Sequence, residues 1–192
     1  MSARLEARIV SSEAVFQGWY TFFRLRVELP DGVTADRELL HRDWGCAVLP
    51  YDPVRRVAML ITQPRPGALF HGVPSPYEAI AGGLDGAAPE TRILAEAMEE
   101  GGLRLSHVEP LVNMWSMIPA STERVQLYLA EYCADDVIGP GGGVAGESEN
   151  ITVHEIGLDE LRELTLSGEL TDAKTLILAQ ALLLKHPELW PG

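Results

Sequence analysis

"AGGLDGAAPETRILAEAMEEGGL", residues 81–103, is the stretch on which the reading of this chain turns. Pro89 stands where a first helical turn accepts it, and Gly101-Gly102 follow where a helix stops, so the spacing predicts a helix over 88–100. Ile93, Leu94 and Ala97 give that helix an apolar side to pack inward. Glu96, Glu99 and Glu100 stand at i, i+3 and i+4 and project from one face. Like charges at that spacing repel by about 0.2–0.5 kcal/mol per pair. They also crowd the C-terminal end, where the helix dipole disfavours negative charge. Taken alone, the triplet reads either as a solvated acidic face or as a face that meets a cation. The preceding "EAIAGGLDG" (78–86) favours the second reading, because an apolar-to-glycine turn brings backbone carbonyls close to the helix. Carboxylates, a carbonyl and water form a hard-oxygen site suited to Mg²⁺ or Mn²⁺.

Outward from this helix the chain alternates strands and loops. Residues 5–10 ("LEARIV") and 19–29 ("WYTFFRLRVEL") read as strands, the second alternating Phe23, Leu25, Val27 and Leu29 with Arg24, Arg26 and Glu28. "PDG" (30–32) is a turn. "RELLHRDWGCAVLPYDP" (37–53) enters a buried strand around Cys46–Leu49, and "VRRVAMLITQPR" (54–65) is another. Pro64 to Pro76 is expected to be a surface loop. Strands follow at 111–117 and 125–132, then a long glycine-rich loop at 139–150, of a length commonly functional. A last strand at 151–156 and helices over 158–168 and 171–186 complete a mixed α+β chain, mostly antiparallel.

Composition narrows the function. With 192 residues and a net charge of -13, the chain lacks the basic footprint of a nucleic-acid binder or of a protein docking to anionic lipid. A small polyanionic substrate remains compatible, since a bound divalent cation inverts local charge. The two cysteines, Cys46 and Cys133, lie in apolar runs and suggest no disulfide framework, as in a reducing cytosol. No apolar run approaches membrane-spanning length and "MSARLEARIV" lacks a signal-type core, so a cytoplasmic protein is expected. His41, His71, His107, His154 and His186 have no metal-type spacing.

The helix segment resembles the Nudix box, G-x5-E-x7-R-E-U-x-E-E-x-G-U with U aliphatic. Glu96, Glu99, Glu100, Gly102 and Leu103 fall on the pattern. Ala97 fills the aliphatic position, Ala87 replaces the first Glu and Ala95 replaces the Arg. Gly82 meets the front glycine with one residue fewer in the loop before Ala87. From about residue 37 onward the chain is similar to the ADP-ribose pyrophosphatase branch of the Nudix hydrolases: the Arg-Glu lead-in, the Pro-aromatic-Asp-Pro turn, Gln-x-Arg, "YEAIAGG" (77–83), "STERVQLYLAEY" (121–132) and "GVAGESENITVHEI" (143–156) recur in order.

That resemblance implies a Nudix fold, an α/β/α sandwich around a mixed sheet, with residues 1–40 as an antiparallel extension used for dimerisation and 41–192 as the hydrolase domain. It implies Mg²⁺-dependent cleavage of the diphosphate of ADP-ribose or a related nucleoside diphosphate sugar, with a GDP-mannose pyrophosphatase or a catalytically silent nucleotide sensor as rivals. Glu96, Glu99, Glu100 and the Ala81 carbonyl are the implied metal ligands, Glu99 alternatively a residue that holds a ligand in place. Glu147 is the implied general base, with Glu149 its companion. Arg65 and Glu123 are implied near the phosphates and terminal ribose. Arg37 and Glu38 are implied to reach the base from the partner subunit of a homodimer with exchanged N-terminal strands. Without the resemblance, Glu147 and Glu149 read as solubilising loop charges and Glu123 as a partner of Arg124. Arg92, one turn before Glu96, stands where it can partly replace the missing box arginine.

Overall fold

The protein was analysed as a computed structural model that describes residues 6–144, 146 and 149–190. It divides into two compact units, Met1–Trp44 with Trp115–Arg124, and Gly45–Met114 with Val125–Gly192.

The first unit carries an antiparallel sheet of β1 (Arg8–Gln17), β2 (Thr21–Glu28) and β3 (Thr34–His41), in that order. The alternation of β2 buries Leu25, while β1 is exposed along its whole length. β1 runs well past the expected end at residue 10. Its pairing with β2 shifts register between Ile9 and Ser11 and between Ala14 and Phe16, which hides the strand period from the sequence. Residues 120–122 clasp β3, the Leu40 N–H donating to the Ala120 carbonyl at 2.7 Å and the Thr122 N–H to the Leu40 carbonyl at 3.1 Å.

The second unit is built on a mixed sheet of β4 (Gly45–Asp52), β5 (Val57–Thr62), β6 (Ile80–Gly83), β7 (Glu109–Trp115), β8 (Arg124–Glu131) and β9 (Thr152–Gly157). Its order is β7-β8-β4-β5-β9, with β6 pairing β4. β4 runs parallel to β8 and antiparallel to β5 and β6. Covered on both faces, β4 is apolar almost throughout, which is why it does not alternate. Helix α2 (Pro89–Gly101) packs Ile93 and Ala97 against Cys46, Val48, Met59, Ile61 and Ile80 on one face. Helices α3 (Leu158–Ser167) and α4 (Ala173–Lys185) pack Leu158, Leu161, Leu178 and Leu182 against Ala47, Leu49, Leu60 and Leu127 on the other. The expected α/β/α sandwich around a mixed sheet is what forms.

One local expectation fails. The proline- and glycine-rich segment after Pro64 contains a short helix, α1 (Pro66–His71). Pro66 presets its first turn and Gly72, at φ 66°, closes it in the left-handed region, the same Pro-start and Gly-stop pair that bounds α2 but compressed into six residues. No side chain of α1 is buried, so its apolar residues, Ala68, Leu69 and Phe70, form no inward face to mark it in the sequence. Among the described residues, no helix is long and apolar enough to cross a membrane.

Candidate active site

Helix α2 brings the acidic face against strand β6. Gly102 ends the helix at φ 66°, its N–H donating to the Met98 carbonyl at 3.1 Å while the Leu103 N–H reaches the Ala97 carbonyl at 2.9 Å, a C-cap that only a residue tolerant of left-handed backbone supplies without strain. One turn apart, Glu96 and Glu100 are 5% and 2% exposed. Glu100 Oε2 accepts the Ala81 N–H at 2.9 Å. Glu96 lies over Gly82, where a Cβ would fall 1.5 Å from its Oε1. Gly82 is therefore required by close approach, and its carbonyl accepts from the buried Cys46 thiol at 3.7 Å.

Burial dominates the electrostatics. It pushes Glu96 up to about 7, a rise opposed by Arg92 and reinforced by Glu99 and Glu149. Burial likewise raises Glu100 to about 8, opposed by the Ala81 N–H and reinforced by Glu96 and Glu149. Both carboxyls sit in a place that resists their charge. Arg92 is the cation that pairs directly with this face, while Arg65 acts on Glu100 from farther off. Its Nη2 stands 2.6 Å from Glu96 Oε1 and its Nη1 3.3 Å from Glu99 Oε2. Its Nε donates to the Gly83 carbonyl at 3.1 Å.

The glycine-rich loop is fastened to the end of α2. The N–H groups of Gly142 and Gly143 donate to the carbonyls of Glu100 (2.8 Å) and Glu99 (3.0 Å), satisfying acceptors that a helix end leaves open. Gly141 has φ 63°, and a Cβ there would lie 2.2 Å from the Glu100 carbonyl oxygen, so only glycine fits. This docking roots the loop beside the acidic face. Glu149 is near enough to raise both buried carboxyls. Glu147 lies outside the described residues.

Arg65 belongs to the same unit. Its Nε and Nη2 form a two-pronged contact with Glu78, at 2.7 and 2.9 Å, and Lys174 Nζ reaches the same carboxylate at 2.7 Å. Burial works to raise Glu78, but Arg65 and Lys174 outweigh it and hold the carboxyl below its usual range. Glu78 and Lys174 had no role in the sequence reading. Glu78 lay inside the quoted "YEAIAGG", whereas Lys174 is almost a hundred residues away and carries no local signal.

Arg37, Glu38 and Glu123 belong to the other unit. Arg37 and Glu38 are exposed on β3, Arg37 donating to the Asp36 carbonyl and Glu38 facing Arg24 across the sheet. Glu123 pairs with Arg42 at 3.3 Å, where the Thr122 side chain bonds to the Arg42 backbone and brings the two segments side by side.

The residues of α2 and β6 form an oxygen-only donor set, with two buried carboxylates and one half-buried, facing a strand backbone. Hard divalent cations prefer such a set. As they are placed, no three carboxylate, imidazole or thiol side chains among the described residues converge closely enough to ligate one cation. Arg92 and the Ala81 N–H hold Glu96 and Glu100 on separate partners. Three glutamates crowd this face, and Arg65, which also acts on Glu100, is already committed to Glu78; the concentration of negative charge is the feature that fits a cation.

No family model matches the chain. Curated relatives do. The chain is 33% identical over 187 residues to a GDP-mannose pyrophosphatase of Cronobacter sakazakii, covering 94% of this chain and 97% of that protein. It is 36% identical over 148 residues to one of an Enterobacter species, covering 76% of each chain. A protein of the same name from Escherichia coli O157:H7 is 29% identical over 184 residues, covering 93% of this chain and 95% of that one. Among solved structures, an ADP compounds hydrolase superposes with a TM-score of 0.73 at 16% identity, covering 96% and 98% of the two chains, a likeness of fold. By its sequence relatives and by the sandwich that carries its acidic helix, the chain belongs to the Nudix hydrolase superfamily, in the group of its GDP-mannose pyrophosphatase relatives.

Proposed function

We propose that this protein hydrolyses the diphosphate bond of a nucleoside diphosphate sugar, releasing a nucleoside monophosphate and a sugar phosphate. The observation that carries this reading is the pair of buried carboxylates, Glu96 and Glu100, raised by burial and set against the backbone of β6. A fold that spends stability on two buried acids gains from it when a cation neutralises them. Mg²⁺ or Mn²⁺, held by Glu96, Glu99, Glu100 and the Ala81 carbonyl, would neutralise the non-bridging phosphate oxygens and lower the pKa of a bound water. The chain's own residues do the rest. Glu147, with Glu149 as companion, takes the proton of the attacking water from a loop rooted on the helix that bears the ligands. Arg65, preset by Glu78, steadies the phosphates with a planar fork suited to them.

Arg37 and Glu38 are assigned to base recognition and Glu123 to the terminal sugar, in a homodimer with exchanged N-terminal strands. The exposed apolar residues of the first sheet, Ile9, Val10, Phe16 and Trp19, support an oligomer that covers them. Residues 1–40 then serve dimerisation and 41–192 catalysis. Two unpaired cysteines, one of them exposed, fit a cytoplasmic location.

GDP-mannose is the favoured substrate, because the relatives that share this chain from end to end bear that name. ADP-ribose is the comparison. A panel of the two, assayed with and without Mg²⁺, tests the proposal. GMP with mannose 1-phosphate, formed only with the metal and lost in Glu100→Gln, is the expected result. AMP with ribose 5-phosphate would move the preference to ADP-ribose, and no product from either would overturn the reading in favour of a nucleotide sensor.

A further inference from the structure

Ala95 stands where the Nudix pattern has an arginine, and a methyl group forms no hydrogen bond. The structure supplies a guanidinium from another place. Arg92 lies four residues before Glu96, on the same helical face, and its side chain is only 22% exposed. It holds three partners in two elements: ion pairs with Glu96 Oε1 at 2.6 Å and Glu99 Oε2 at 3.3 Å on α2, and a hydrogen bond from its Nε to the Gly83 carbonyl at 3.1 Å at the end of β6. Asp85 Oδ2, in the turn that follows, lies 3.9 Å from the same Nε. The guanidinium thus pairs with two box carboxylates at once through its Nη atoms, while its Nε ties it to the strand whose backbone faces them. A lysine, with a single point of charge, cannot hold that arrangement.

Resting on the function proposed above, we infer that Arg92 is a positioning residue that has taken over the task of the missing box arginine, fixing Glu96 and Glu99 for the divalent cation. The Gly83 carbonyl, at the end of β6, is the third anchor of the guanidinium. The contrasting role is that of a placeholder, a guanidinium that neutralises the acids and must leave when the cation arrives. The two roles predict opposite effects on cation affinity.

Mn²⁺ binding to the purified protein, measured by electron paramagnetic resonance in the absence of substrate, separates them. Arg92→Ala is expected to weaken Mn²⁺ binding roughly 10–100-fold, the usual consequence of removing an outer-shell partner. Arg92→Lys, which keeps the charge and loses the fork, is expected to fall between the two. Adding Ala95→Arg to Arg92→Ala, which returns the guanidinium to the pattern's own position, is expected to restore most of the affinity. In the assay, the Mg²⁺ concentration for half-maximal rate should rise in Arg92→Ala while KM for the nucleotide sugar stays near wild type. Unchanged or tighter Mn²⁺ binding in Arg92→Ala, with an intact wild-type site, overturns this role and leaves the proposed function standing. Wild-type affinity in Arg92→Lys overturns it equally, since charge alone would then suffice, and Arg92→Lys serves if Arg92→Ala fails to fold. A wild-type protein that binds no Mn²⁺ overturns both readings together.

Discussion

Gly82 and Glu96 occupy nearly the same space: a Cβ on the glycine would fall 1.5 Å from Oε1 of the glutamate and 2.9 Å from Oε2. The carboxylate can lie against β6 only because that strand has no side chain there. Gly82→Ala is therefore expected to expel Glu96 from its buried position. Because both glycine and alanine are tolerated in an edge-paired extended segment, stability should fall by only about 1–3 kcal/mol, the usual cost of overpacking. Hydrolysis should fall far more, by at least about 100-fold, since misplacing a ligand by an ångström has that effect. Parallel thermal unfolding and rate measurements check the contrast; equal losses in both would show that Gly82 serves packing alone.

Glu96 and Glu100 make the metal-free protein sensitive to alkali. Their folded values, about 7 and about 8, lie above the ordinary carboxyl value of 4.5. The folded state thus binds protons that the unfolded chain has already released, so their stability contribution is complete below about pH 4.5 and is lost as pH rises through 7 and 8. In chelator, Tm is expected to fall between about pH 5 and about pH 9, each kcal/mol moving it by roughly 2–4 °C. Mg²⁺ should restore it most strongly at the alkaline end. Glu100→Gln, neutral at every pH, should flatten the metal-free profile, and calorimetry across the range reads both effects.

Arg65 is bound to a carboxylate that cannot stand alone. Glu78 is 3% exposed and keeps its charge through Arg65 and Lys174. Arg65→Ala leaves Lys174 as its remaining cation, and a loss of about 1–3 kcal/mol is expected, somewhat below that for a buried charge stripped of every partner. The double variant Arg65→Ala, Glu78→Gln should recover much of that stability without recovering KM for the substrate. Denaturant unfolding alongside kinetics makes the distinction. Recovery of KM in the double variant would remove Arg65 from the phosphate-binding set.

The loop's root is tested at Gly141. Its φ of 63° and the 2.2 Å separation between a Cβ and the Glu100 carbonyl oxygen exclude any side chain. Gly141→Ala should detach the glycine N–H groups from the end of α2, costing about 1–3 kcal/mol. It should also accelerate amide exchange at Gly142 and Gly143 and lower kcat more than KM. Hydrogen exchange resolved by residue reads the first effect, and unchanged protection there would refute the docking.

Much of this was legible in the sequence for reasons that are local. The α2 boundaries follow from Pro89 and Gly102, and Glu96, Glu99 and Glu100 share a face because 3.6 residues complete a turn. The burial of β4 follows from its unbroken apolar run. Helix α1 and the length of β1 were illegible, since α1 buries nothing and the register shifts of β1 erase its period. The Glu123–Arg42 pair was illegible because sequence adjacency says nothing about Arg42, eighty-one residues away.

The chain's sequence by itself determined the sandwich, the box helix and the acids that helix carries, since propensity, capping and periodicity act over a few residues. Only the tertiary structure decided which cation those acids meet, that Gly82 clears the space for Glu96, that Glu78 locks Arg65, and that Gly142 and Gly143 root the loop on the helix end. Each of these depends on distances between segments far apart in the chain, and such distances exist only once the sheet has brought them together.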